Sequence, residues 1–329
     1  MIIIFSNTSD SSAKKTMQWL NFINEPFLVI GEDKFTITSL QISNSNEKIM
    51  FRCGNIECDV KDIQSIWYRS EFINIKDMYY NYSAFVKEKN LQQSIQTYLS
   101  DYWFAQKELL EILFSEKKTI GKNNQGRFNK PIALRYAAEI CLDIPNTIFT
   151  NNKKDLEVFI KNHNEIIAKS FDLAFSFYSV GESIMSYTSK ITISDLLKIP
   201  SFFEKTLFQE LIPKQYEIRT FFLNNVCYST AIISQNNEKT LIDYRRYDKA
   251  KMNRSIPYKL PSSIENKITL LMKKCGLSSG SIDLIKSTDG RFVFLEVNPV
   301  GQFGYHSYNC NYNLHKQIAE YLSKRNDNE

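Results

Sequence analysis

The sequence predicts an α/β fold built from more than one unit. Three observations carry that reading. The chain opens in strand–helix–strand order, which implies a layered α/β unit. Near its end, two apolar runs flank a polar turn, the pattern of a β-hairpin. Its 329 residues also suit two or three small domains better than one.

Residues 1–115 read as the first unit. Ile2–Ser6 is a strand, followed by a polar link over Asn7–Ser12. Met17, Leu20 and Ile23 at spacings of three predict a helix. Pro26 opens a second strand, Phe27–Ile30. The β-prone segments Phe35–Ile42 and Lys48–Val60 follow, the latter broken at Cys53-Gly54-Asn55. Ser65–Arg69 is another strand, and a helix over about residues 91–115 closes the unit.

Residues 116–205 read as a second, smaller unit. Pro131–Cys141 is predicted helical, with Pro131 in the first turn. Lys153–Asn162 is a helix and Glu165–Lys169 a strand, and Ser170–Thr192 is rich in Phe, Tyr and Ser. Residues 206–329 form the third unit, with strands Thr206–Ile212, Tyr216–Leu223 and Val226–Ser234. A helix starts at Ser262, with Glu265 three residues on as a capping box. Ile264, Ile268, Leu271, Met272 and Cys275 form its apolar stripe, and Gly276 stops it. The hairpin follows, then a terminal helix, Leu314–Leu322. No internal repeat, low-complexity tract or coiled-coil heptad is read.

Composition narrows the class. With 43% hydrophobic and 23% charged residues, this is a folded soluble protein. A net charge of +5, from 41 basic and 36 acidic residues, gives no reason to expect nucleic acid. The six cysteines form no C-x-x-C pair and are expected reduced; Cys53 and Cys58 could bracket a turn, but need no disulfide. The amino terminus lacks the features of a signal peptide, and no window approaches a membrane span, so the expected location is the cytoplasm.

The chemistry concentrates in the hairpin. Asp283, Glu296 and Asn298 stand on its two strands, and Glu296 and Asn298, two apart, share a face. Oxygen ligands on a rigid strand pair suit Mg²⁺ carrying substrate phosphates, which suggests nucleotide chemistry. Solvated acids at the ends of an ordinary hairpin are the plain alternative. Lys169 ends an apolar strand, an awkward place for an ammonium unless an anion meets it. Gly121–Arg127 superficially resembles a P-loop but lacks the Gly-Lys-Ser/Thr ending.

The hairpin looks like the metal hairpin of ATP-grasp ligases. The string FLEVNPVGQFG narrows the likeness to the graspetide, or microviridin-type, peptide macrocyclases, with the grasp-with-spasm branch as nearest. Ser9-Asp10, Trp67-Tyr68-Arg69 and Asp243-Tyr244-Arg245 also resemble family signatures, although Tyr244 replaces a Trp. Trp67 reads as core, and Arg69 could meet a peptide carboxylate.

The resemblance implies an ATP-grasp fold: a pre-ATP-grasp-like α/β domain over 1–115, a small central domain over 116–205 and a C-terminal ATP-grasp domain over 206–329. It implies ATP and Mg²⁺ as cofactors. Lys130 and Lys169 would reach the phosphates. Phe208–Arg219 would be the hinge strand, with Gln209, Glu210, Leu211 and Ile212 at the adenine and Glu217 at the ribose hydroxyls. These residues would line one cleft between the second and third units. Arg219 and Arg245 or Arg246 would face the transferring phosphate. A cross-strand surface pair is the bland alternative for Glu217 and Arg219.

The implied partner is a ribosomal precursor peptide, leader plus core. A radical-SAM SPASM maturase encoded nearby would be a second partner, and a homodimer is left open. Ligases adding amino acids to a protein terminus, or joining small amino acids, would share the nucleotide residues. A pseudoenzyme would be expected to lose metal ligands, yet all three are present. Ser170–Ser189 is the candidate lid, and Phe171, Phe175, Phe177, Tyr178 and Tyr187 a candidate leader groove.

Overall fold

The computed structural model describes the chain except residues 8, 32–34, 45–46, 71–86, 124–127, 164, 170–175, 180–181, 186–187, 245, 247–249 and 325–329. The chain divides into two compact units, Met1–Gly126 with Asn313–Glu329, and Arg127–Tyr312. The boundary read near residue 205 remains our proposed subdivision of the second. The terminal helix, expected with the third part, belongs to the first unit.

The first unit runs β1 (Ile2–Phe5), α1 (Ser11–Phe22), β2 (Phe27–Ile30), β3 (Phe35–Ile42), β4 (Glu47–Cys53), β5 (Ile56–Asp59), β6 (Ser65–Tyr68), α2 (Lys89–Ser115) and β7 (Lys118–Ile120). A parallel sheet takes the order β2-β1-β6-β7, and an antiparallel one the order β3-β4-β5. All four residues of β1 and of β6 are buried, as expected of inner parallel strands. Trp67 is core, as read. Asp10 caps α1: its Oδ1 accepts from the Ala13 N–H at 2.8 Å. Cys53 and Cys58 are free, and each pairs with another residue across the β4–β5 hairpin.

The second unit runs α3 (Lys130–Glu139), β8 (Thr147–Asn152), α4 (Lys153–His163), β9 (Ile166–Lys169), β10 (Ser176–Ser179), β11 (Glu182–Met185), β12 (Ser189–Ile191), β13 (Phe202–Glu210), β14 (Lys214–Leu223), β15 (Val226–Ile233), β16 (Arg254–Tyr258), α5 (Ser262–Cys275), β17 (Ser279–Ser287), β18 (Phe292–Asn298) and α6 (Gly304–Asn309). Its two larger sheets are antiparallel, ordered β12-β9-β13-β8 and β16-β15-β14-β17-β18. β10 and β11 pair with each other. They lie inside the proposed lid, whose other residues are mostly outside the described set. Of the proposed leader groove, Phe171, Phe175 and Tyr187 lie outside it, as do the side chains of Phe177 and Tyr178.

Strand alternation sets the working face of the five-stranded sheet. Ile218, Phe222, Ile282, Leu284 and Phe294 pack with Ile268, Leu271 and Met272 of α5 and with Ala133 and Ala137 of α3. The intervening residues, Glu217, Arg219, Asp283 and Glu296, therefore face the other way. Period two alone would break down along β18. The register shifts between Asp283 and Leu284, so that Leu295 has no direct partner on β17. Phe294 and Val297, three apart, thus both reach the apolar core, while Glu296 comes directly opposite Asp283.

The capping box expected at Ser262 does not form. Pro261, at φ −56° and ψ 141°, is the cap residue, so Ser262 is already helical. Glu265 instead accepts from the Lys259 Nζ at 2.8 Å. Gly276 stops the helix as read, at φ 61°. The edge strand β16 was not anticipated: Pro257 interrupts its pattern, which only an edge tolerates. The last helix, α7 (Leu314–Ser323), packs on α1 in the first unit. Gln64 and Ser65 there donate to the carbonyls of Ser323 and Leu322, satisfying part of its C-terminus. Among the described residues, no helix is long and apolar enough to cross a membrane.

Candidate functional site

A cavity of about 310 Å³ opens within the second unit, between residues of β9 and β13 and the far face of the five-stranded sheet. Ile167, Leu211, Ile212, Leu241, Ile285 and Leu295 give it apolar walls. Charged residues of both signs share the lining: Lys169, Lys190 and Lys214 with Glu165, Glu210, Glu217, Asp243, Asp283 and Glu296. The sequence-predicted Lys169, Gln209, Glu210, Leu211, Ile212, Glu217, Asp283 and Glu296 thus all come to one place.

Register explains the arrangement. Arg219 stands opposite Asp283 on β17, and Asp283 opposite Glu296 on β18. The three form one row across three strands, at neighbour spacing of about 5 Å. Each acid of the lining that belongs to this face meets a base. Arg219 Nη1 donates to both Asp283 oxygens at 2.9 Å. Lys130, at the start of α3, lies 3.4 Å from Glu296 Oε2. Lys214 donates to Glu217 Oε1 and to the Ile242 carbonyl. The pair of Glu217 and Arg219 is therefore not a surface ion pair. Both are over nine-tenths buried, and each has its own partner.

Electrostatics follow from burial and these partners. Burial raises the Glu217 carboxyl above its usual range, with Lys214 opposing and Asp243 and Asp283 reinforcing. Burial also works against the charged Arg219. Asp283, Tyr244 and Glu296 outweigh it, and its pKa ends above the ordinary value. The lining is thus rich in negative potential where the two hairpin acids meet.

The amino-terminal side of the hinge is partly committed. The Glu210 N–H donates to the Asn146 carbonyl and the Leu211 N–H to that of Glu165, both at 3.0 Å. No such bond engages the Ile212 N–H among the described residues. The Glu210 carboxylate accepts from Asn146 and sits 3.3 Å from His163 Nδ1. Gln209 donates to Thr147, while its Oε1 is buried without a partner among the described residues.

Asn298 and Arg246 have their partners elsewhere. Asn298 is on the right strand face, but its Oδ1 accepts from the Gly301 N–H at 3.0 Å, outside the cavity lining. Arg246 donates to the Thr188 carbonyl at 3.0 Å. Arg245 lies outside the described residues. The turn after Asn298 is sterically exacting. Gly301 has φ 56°, and a Cβ there would stand 2.5 Å from Ser281 Oγ.

Sequence reasoning missed Lys214 and Tyr244. Lys214 and Glu217, three apart, belong on opposite faces of a regular strand. A register shift between Lys214 and Tyr216 brings them together. Tyr244 was read only as a substituted Trp, yet its hydroxyl accepts from Arg219 Nη1 at 3.2 Å. Among the described residues no three His, Cys, Asp or Glu converge as metal ligands. Two carboxylates side by side in a cavity remain a suitable seat for a hard cation bridged to a ligand's own oxygens.

No protein-family profile matches the sequence, and no curated protein matches it. Solved structures do. A RiPP-associated ATP-grasp ligase of Chryseobacterium gregarium, in complex with ADP and a leader and core peptide, is similar at TM-score 0.76 and 21% identity, over 98% of this chain and 94% of that one. The macrocyclase MdnC of Microcystis aeruginosa MRC, bound with precursor peptide MdnA, is similar at TM-score 0.73 and 23% identity, over 98% of each chain. The ATP-grasp ligase PsnB, complexed with a phosphomimetic variant of its minimal precursor, Mg and ADP, is similar at TM-score 0.64 and 15% identity, over 98% of this chain and 97% of that one. The chain has the ATP-grasp fold, in the form seen in the ligases and macrocyclases of ribosomally made peptides.

Proposed function

We propose that the protein is an ATP- and Mg²⁺-dependent ligase of the graspetide type. It activates Asp or Glu side chains of a ribosomal precursor peptide as acyl phosphates, and joins them to Ser/Thr hydroxyls or Lys amines in the same peptide. The products are macrocyclic ω-esters or ω-amides. The observation that carries this reading is the row Arg219–Asp283–Glu296 on one face of three adjacent strands, with Lys130 at its end. Such a row offers acids to a cation and bases to phosphates, side by side. Neighbours of this fold are recorded with ADP, Mg and precursor peptides, which supports the same ligands here.

The chain's residues divide the work. The adenine ring lies between apolar walls such as Ile167, Leu211 and Ile285. Gln209 to Ile212 face its edge. The Ile212 N–H is the available backbone donor, because those of Glu210 and Leu211 are engaged. Glu217 accepts the ribose hydroxyls. Its raised pKa follows from burial, and two hydroxyl donors would restore the solvation that burial removes. Lys130 and Lys169 hold the phosphates.

Asp283 and Glu296, with Asn298 on the same strand face, would hold Mg²⁺, which neutralises charge on the transferred group. Their present partners, Arg219 and Lys130, would then turn to phosphate oxygens, so that no charge is left uncompensated. Arg219, with Arg245 or Arg246, stabilises the transferring phosphoryl electrostatically. The substrate carboxylate attacks the γ-phosphorus and ADP leaves. The hydroxyl or amine of the same peptide then attacks the acyl carbon, loses its proton, and inorganic phosphate leaves. Attachment to one peptide raises the effective concentration of the attacking group. The protein would act in the cytoplasm on the precursor's leader and core, beside a radical-SAM SPASM maturase.

Mass spectrometry tests this. A short Thr/Ser- and Asp/Glu-rich peptide encoded beside the gene is incubated with the protein and Mg-ATP. Loss of one water per ring, with ADP formed, is expected. ADP release with no mass loss, or transfer to a free amino acid instead, would overturn the macrocyclase assignment.

A further inference from the structure

The working face of the five-stranded sheet continues past the row of Arg219, Asp283 and Glu296. Along β14, Glu217, Arg219 and Phe221 share that face at period two and span about 13 Å. Beyond Arg219, α6 and the residues beside it cover the face. The Phe303 ring lies 4.8 Å from that of Phe221, centre to centre. Cys310 Sγ lies 3.3 Å from Oγ1 of Thr230, which stands opposite Arg219 on β15. The Gln302 carbonyl accepts from Arg219 Nε at 3.3 Å. His306 and Ser307 are buried on the inner side of α6. Its outer side is open: Tyr305, Tyr308 and Asn309 are exposed, as is Gln302 just before it, and Tyr308 is 83% exposed.

We propose that the outer side of α6 seats the core segment of the substrate peptide, with Tyr305 and Tyr308 as its platform. The inference rests on the ligase reading above and adds the place of the second substrate. Direction chooses the occupant. In that reading the nucleotide runs from the hinge along β14, with its ribose at Glu217 and its transferring phosphate at Arg219. Phosphoryl transfer needs the attacking oxygen in line, on the side away from ADP. Away from ADP along this face comes Phe221, which Phe303 covers. The reacting carboxylate therefore arrives from the α6 end, and the residues flanking it cross the outer side of that helix. The leader carries no reacting group and has no such requirement.

The chemistry of the surface agrees. Pro299–Asn313 holds no Asp, Glu, Lys or Arg. An acid-bearing peptide is then neither repelled nor held by an ion pair, so a finished ring can leave. Gly301–Tyr312 consists mostly of Tyr, Asn, Gly and Ser, the residues that antibody paratopes favour. Tyr gives rigid contact area at low entropic cost, and amides adapt to a peptide's backbone groups. Tyr305 and Tyr308, three apart, lie on one side of the helix. The buried inner side fixes that helix to the sheet, so the platform is held at a set distance from Arg219.

The experiment is photo-cross-linking of the full-length protein, loaded with Mg-ADP, to the peptide encoded beside the gene. The peptide carries a benzophenone side chain next to one of its core acids. Mass spectrometry should map the label to Gln302–Asn309. In parallel, Tyr308→Ser, and Tyr308→Ser combined with Tyr305→Ser, should raise the peptide KM about tenfold or more while leaving Mg-ADP affinity and the melting temperature near wild type. Phe22→Ser is the control, since Phe22 is 76% exposed on α1 and should leave the peptide KM unchanged. A label on the first unit or on the proposed lid, or unchanged peptide KM in both Tyr variants of a ring-closing enzyme, overturns this proposal and leaves the ligase reading standing. A wild type that binds Mg-ADP but neither cross-links to the peptide nor closes rings overturns both.

Discussion

Arg69, just past the end of β6, and Arg219, on β14, are both buried arginines, and both meet an aspartate. Arg69 Nε lies 3.1 Å from Asp10 Oδ2, and Arg219 Nη1 lies 2.9 Å from Asp283. Their surroundings differ. The other oxygen of Asp10 is spent capping α1, and Arg69 is 1% exposed. A peptide carboxylate therefore has no access to it, contrary to one use its strand-end position suggested. Asp283 instead lines a cavity beside a second acid, Glu296. The same contrast appears in proton affinity. Burial pulls Arg69 below its ordinary value despite Asp10, whereas the acids around Arg219 outweigh burial. A buried ion pair is thus not a site by itself. It becomes one where the acid lines a cavity beside a second acid and the local potential favours a cation.

The comparison can be broken by substitution. The largest effect is expected for Glu296→Gln, which should keep the melting temperature near wild type and lower ring closure by about 10³-fold or more. A soluble variant with near-normal turnover would remove Glu296 from the site. Next comes Arg69→Met, which strands the Asp10 charge in the interior. Urea unfolding should show a loss of about 3–5 kcal/mol. Arg219→Met should cost less stability, because Asp283 borders a cavity, and should lose activity instead. Equal destabilisation with retained activity would make the two pairs equivalent.

Smaller effects sharpen the boundary. Lys169→Ala should weaken nucleotide binding by about 1.5–3 kcal/mol in a calorimetric titration, the loss of one charge-assisted contact. Gly301→Ala should destabilise by about 1–3 kcal/mol, since both its φ and the nearby Ser281 oppose a Cβ. The smallest is a pH effect. Burial, then Arg219, lowers His306 to about 3, and burial, then Lys15 and Arg69, lowers His315 to about 4. Each is neutral in the fold and takes up its proton more readily when unfolded. Stability is therefore intact above about pH 6.5 and falls as pH drops toward 3–4. His306→Phe should flatten part of that slope, read from urea midpoints at pH 7 and pH 5. An unchanged slope would show that His306 does not titrate this way.

Much of the candidate site was legible because strands keep strict periods. Glu296 and Asn298 share a face by spacing, and Glu217 and Arg219 do so by the same rule. What stayed hidden depends on broken periods. The shift near Leu295 aligns Glu296 with Asp283, and the shift near Lys214 turns that lysine onto Glu217. Neither leaves a mark in composition. Ser262 shows the reverse failure: a local capping signal was present, and Pro261 started the helix one residue early. The place of α7 in the first unit was also illegible, since its bonds to Gln64 and Ser65 span more than 250 residues.

The central claim is that the acids beside Arg219 seat a cation together with nucleotide phosphates. The most direct test is calorimetric titration of ADP, with and without Mg²⁺, into the wild type, Glu296→Gln and Arg69→Met. Binding should require Mg²⁺ in the wild type, weaken at least tenfold in Glu296→Gln, and persist in folded Arg69→Met. ADP binding that ignores Mg²⁺ and is unchanged in Glu296→Gln would contradict the account.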